Sequence, residues 1–140
     1  MFDVKNGTIT LFNERVSIGM NENEIMGKIK DHIMLKEKHI DAREIVFLKE
    51  FDILDSCCYA ELSLYRQKVQ TVSFSVRPKS DEKNINIKEV ADSFNNKIKE
   101  LVPDVEFDSN GTFDYKEGEY KLSSSFNRDG YEYTVFLTKI

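Results

Sequence analysis

A chain of 140 residues has the size of one domain, and its halves would be too small to hold separate cores. Apolar residues at 40%, charged residues at 32%, ten Phe and six Tyr exclude a disordered, collagen-like or low-complexity chain. A formal charge of −5 excludes binding to nucleic acid by counterion release across the whole chain, and adjacent Cys57 and Cys58 cannot form a disulfide framework.

The first seven residues lack the basic and apolar regions of a signal peptide, and no apolar run reaches eighteen residues. A cytoplasmic protein is the expectation. Residues 8–18 predict a hairpin: Ile9 and Leu11 alternate with polar neighbours, Asn13-Glu14 offers a turn, and Val16 and Ile18 alternate back. A helix should follow, capped by Asn21 or Asn23, with Ile25, Ile29 and Ile33 every fourth residue. Residues 36–41 are polar and predict a loop.

Three strands come next. Residues 43–54 place Ile45, Phe47, Phe51 and Ile53 on one face. Cys58, Ala60, Leu62 and Leu64 share a face in the second strand, and Val72, Phe74 and Val76 in the third. The opposite face carries Glu61, Ser63, Tyr65, Thr71, Ser73, Ser75 and Arg77, the pattern of a meander with one wet side.

Residues 78–83 form a polar connector. Asn86 and Glu89 then make a capping box, and Ile87, Val90, Ala91, Phe94, Ile98, Leu101 and Val102 form one helical stripe that Pro103 ends. Strands at 105–107, 112–116, 120–126 and 131–140 close the chain, with turns at Asn110-Gly111, Glu117-Gly118 and Asp129-Gly130. The expected fold is α+β, an antiparallel sheet with two helices packed on one face. It is a single domain over 1–140, with possible pseudo-repeat halves 1–80 and 81–140 of helix plus strands.

The stretch Val16-Ser17-Ile18-Gly19-Met20-Asn21-Glu22-Asn23-Glu24-Ile25 resembles the G-M-(S/T/N)-x-x-E-(V/I) helix start of BamE-like and β-lactamase-inhibitor-protein-like domains. Those domains pack helices on an antiparallel sheet, and the inhibitor protein has two such units in tandem. The resemblance implies a protein-binding domain rather than an enzyme, and it transfers no functional residue. Known members are exported.

Chemistry-bearing residues are few. Cys57 and Cys58 point to opposite faces of a strand, and a nucleophile would need a base or cation that the sequence does not name. His32 and His39 stand seven apart, whereas helical zinc sites use four. Glu106 to Glu117 fits an EF-hand calcium loop at every position but the first, with oxygens on Glu106, Asp108, Asn110, Asp114 and Glu117 and a turn at Gly111. Pro103 removes the entering helix, and the residues after Glu117 alternate as a strand, so a plain hairpin is the better reading. Neither a metal nor a cofactor is expected.

Charge is more informative. Residues 104–140 hold 8 acids and 4 bases, so most of the net charge lies there. Glu106, Asp108, Asp114, Glu117 and Glu119 alternate with aromatic residues, including Tyr115 and Tyr120. Such a segment either keeps an edge soluble or steers a basic partner, with Tyr115, Tyr120, Tyr131 or Tyr133 as anchors. The expectation is a non-enzymatic binding protein, a bacterial immunity protein that neutralises a basic toxin such as a nuclease. The alternatives are a small-molecule or metal-binding module, or an enzyme with a site around Cys57 and His39. The second candidate for the partner surface is the wet sheet face around Glu61 and Arg77.

Overall fold

The computed structural model describes residues 2–54, 56–77, 86–127 and 132–140. Strands dominate it at 52%, against 23% helix. The N-terminal hairpin is present as β2 (Thr8–Leu11) and β3 (Glu14–Ser17), with β1 (Phe2–Asp3) added outside β2. Its turn is Phe12-Asn13, one residue earlier than the sequence suggests; both have positive φ, as a two-residue hairpin turn matching the strand twist requires.

Helix α1 (Glu22–Ile29) buries Ile25 and Ile29. Ile33 does not continue its stripe. A 3-10 turn over Lys30–His32 ends the helix, and Ile33 opens strand β4 (Ile33–Lys38). Lys36, Glu37 and Lys38 are therefore strand residues rather than loop. They form a sheet edge, where charged side chains are tolerated because one side of the strand faces water.

The expected strand over 43–54 breaks at Lys49-Glu50 into β5 (Arg43–Leu48) and β6 (Phe51–Ile53). The break resets the alternation. Val46 and Leu48 are buried, while Ile45 and Phe47 turn to the opposite face, because Val46 pairs with core-facing Leu62. Strands β7 (Ser56–Tyr65) and β8 (Lys68–Arg77) follow the sequence reading, with Cys58, Ala60, Leu62, Leu64, Val72, Phe74 and Val76 all buried.

Helix α2 (Ile87–Leu101) starts where Asn86 Oδ1 accepts the Glu89 N–H at 2.9 Å. It buries Ala91, Phe94 and Ile98, as its stripe predicts, and also Asn95. Residues 105–107 form no strand. They make one isolated bridge, Phe107 to Phe113, because the Asp108 carboxylate accepts the Asn110 and Thr112 N–H groups and folds the chain into a tight loop. Strands β9 (Asp114–Glu117), β10 (Tyr120–Phe126) and β11 (Tyr133–Lys139) complete the chain. The connector at 78–83, Tyr131 and the turn at Asp129-Gly130 lie outside the described residues.

The large antiparallel sheet runs β4-β5-β7-β8-β11-β10-β9, with β6 also on β7. Because β8 pairs with β11, strands from both halves share one sheet. One buried cluster unites its core face with both helices and with the small sheet. The covering layer is thus broader than two helices: Phe2 of β1 stacks on Phe74 at 5.9 Å, and Phe94 of α2 meets the same ring edge-on at 5.9 Å.

Candidate functional site

Strand alternation sends every second residue of the large sheet away from the covering layer. The central cross-strand row reads Phe47, Glu61, Ser73 and Phe136, and the next reads Ile45, Ser63, Thr71 and Thr138. A third carries Tyr59, Ser75 and Thr134, with Ser75 and Thr134 hydroxyls 3.0 Å apart. None of these residues is buried as a whole, although the Thr138 hydroxyl oxygen is closed off from solvent. The face is a hydroxyl-rich plain studded with aromatic groups.

Glu61 lies near its centre and has no hydrogen bond or ion pair among the described residues. Partial burial, reinforced by Glu132 and Glu37, raises its carboxyl above the ordinary glutamate range. Nearby Arg77 is already engaged: its guanidinium pairs with Glu132 and lies 4.4 Å over the Tyr59 ring.

At one end of this face the break at Lys49-Glu50 delivers a carboxylate. Glu50 accepts Cys57 Sγ–H at 2.8 Å and the Tyr59 hydroxyl at 2.7 Å. These two bonds hold Glu50 below the ordinary carboxylate range, and the same bond raises the Tyr59 phenol. Tyr59 is thus pinned by a hydrogen bond at its tip and by Arg77 across its face. Cys57 does have an acid–base neighbour after all. That neighbour accepts the thiol hydrogen bond, and only 6% of Cys57 is exposed. Cys58 is fully buried, and burial pushes its thiol up to about 12.

The acidic segment is gathered only in part. Tyr115 and Glu117 share one side of β9, with the Tyr115 hydroxyl donating to Glu117 at 3.0 Å, while Asp114 points to the open face beside Ser123. Glu119 sits in the β9–β10 turn and Glu106 in the loop before it, both exposed. The Asp108 carboxylate is committed to its own loop, where Thr112 and Asn110 hold it below the usual range. Tyr115 and Tyr120 are half-buried against the core, and Tyr120 packs over Gly7. Tyr133, the other proposed anchor described here, is fully buried, its hydroxyl 2.7 Å from both Asn95 Oδ1 and Ser124 Oγ.

His32 stacks on Phe12 with centroids 3.9 Å apart, and exposed His39 sits 3.5 Å from Glu37. Among the described residues no three His, Cys, Asp or Glu side chains converge as metal ligands, the loop from Glu106 to Glu117 included. No helix among them is long and apolar enough to cross a membrane.

Sequence reasoning missed Glu50, Phe47, Phe136 and Glu132. Only the interrupted alternation at Lys49-Glu50 hinted at the first. The other three depend on which strands become neighbours. Comparison with family models, curated proteins and solved structures found no match to this chain.

Proposed function

We propose that this chain acts without catalysis, by binding and neutralising another protein, as a bacterial immunity protein does with a basic toxin such as a nuclease. The observation that carries the reading is the face of the large sheet that no described element covers. Both helices and the small sheet contribute to a single buried cluster on the other side, leaving a broad surface of hydroxyls, aromatics and an acid unpaired among the described residues. Docking surfaces combine aromatic and arginine anchors with charge complementarity. Tyr59 and Arg77 supply a pinned aromatic–guanidinium pair that loses little freedom on binding.

The groups best suited to chemistry have structural roles instead. Cys57 is capped by Glu50, Cys58 is buried, and His32 is stacked. The acidic segment around Glu106, Glu117 and Glu119 then serves to steer a basic partner toward the face. The helix-start motif shared with inhibitor-protein-like domains supports the same direction. It opens α1 from extended Asn21, after Gly19 at φ +89°.

The test is affinity capture from the source organism, followed by co-expression of the captured protein in bacteria with and without this chain. The reading predicts one basic protein retained in stoichiometric amount, toxic alone and harmless when co-expressed. Capture of no stoichiometric partner, or of one equally harmless alone, would contradict it.

A further inference from the structure

We infer that the open sheet face receives an arginine side chain of its partner at Glu61, stacked against Phe47. This deepens the proposed function and rests on it. Phe47, Glu61, Ser73 and Phe136 stand on four consecutive strands, in the order β5, β7, β8, β11. Three strand spacings separate the two phenylalanines, about 14 Å at their backbones. Between them stand one carboxylate and one small hydroxyl, so an aromatic residue flanks the row at each end.

Charge decides what fits there. Glu61 is unpaired among the described residues, and Glu37 from β4 adds negative potential, while the charge of Glu132 beside β11 is partly offset by Arg77. Arg77 is held by Glu132 and Tyr59, and among the described residues the row itself holds no cation. A guanidinium matches both features: its planar fork pairs with a carboxylate, and its face stacks on an aromatic ring. An ammonium satisfies the carboxylate but presents no plane to Phe47. The raised Glu61 carboxyl agrees with a charge left under-compensated in the free protein.

The experiment is an NMR titration of the full chain with acetylated, amidated Gly-Arg-Gly, and separately with Gly-Lys-Gly. Gly-Arg-Gly should shift the amide resonances of Phe47, Glu61, Ser73 and Phe136, and bind about threefold tighter than the lysine peptide. Glu61→Gln, which keeps the side-chain shape, should weaken the arginine peptide about tenfold. Phe47→Leu should erase the preference for arginine. Equal binding of both peptides, shifts centred on residues 106–119, or an unchanged response in Glu61→Gln would overturn the assignment. No native partner is needed, so a flat titration overturns the arginine site even where partner capture succeeds.

Discussion

The two faces of the large sheet come from the same strands and have opposite chemistry. On β7 and β8 the covered side holds Cys58, Ala60, Leu62, Leu64, Val72, Phe74 and Val76, each almost entirely buried. The open side holds Tyr59, Glu61, Ser63, Thr71, Ser73 and Ser75, none of them buried. A period of two lets one strand carry fold and surface at once, so substitutions on the two sides should separate stability from binding.

The largest effect belongs to the covered side. Phe94 is fully buried and meets Phe74 edge-on, so Phe94→Ala should cost about 3–5 kcal/mol in denaturant unfolding. A loss below about 1 kcal/mol would show that α2 is not packed as described. Next comes Tyr133→Phe, which removes a buried hydroxyl from Asn95 and Ser124 and should cost about 1–3 kcal/mol. Equal stability of this variant and the parent would remove that network from the account.

The open side should behave otherwise. Cys57→Ser keeps a donor to Glu50 and should leave fold and partner binding intact; loss of activity with the fold preserved would favour an enzyme. Glu61→Gln should raise stability slightly at neutral pH. The sign follows from a folded-state pKa above the unfolded one. The charged form is disfavoured by folding, so the penalty is present above the folded value and vanishes below the unfolded value. Parent and variant curves should therefore converge as the pH falls through the ordinary glutamate range. Divergence there would contradict the assigned environment of Glu61.

The legible parts of this fold are those where one local signal dominates. Ten-residue β7 and β8 alternate cleanly, and α2 has both a cap and an unbroken stripe. Strand β4 was hidden because edge strands carry the lysines and glutamates that also mark loops. The phase of β5 was hidden because Ile45, Phe47, Phe51 and Ile53 alternate across a break that sequence alone does not show. Of the open face, Glu61, Ser63, Thr71, Ser73 and Arg77 were legible as a wet side. Glu50 and Glu132 were not, since their partners are fixed by strand pairing.

A comparison of the open face with the acidic segment gives the smallest expected effect. Changing Glu106, Glu117 and Glu119 to Gln should slow partner association and flatten its salt dependence, with little change in dissociation, because exposed charges act mainly by steering. Unchanged rates at low and moderate salt would make that segment a solvated surface only.

The most direct test of the open face as the docking surface is partner retention by two charge-reversed variants of unaltered fold, Glu61→Lys and Glu117→Lys. The account predicts that Glu61→Lys abolishes retention, whereas Glu117→Lys retains the partner and only slows its arrival. Retention by Glu61→Lys together with loss in Glu117→Lys would contradict it and move the interface to the acidic edge.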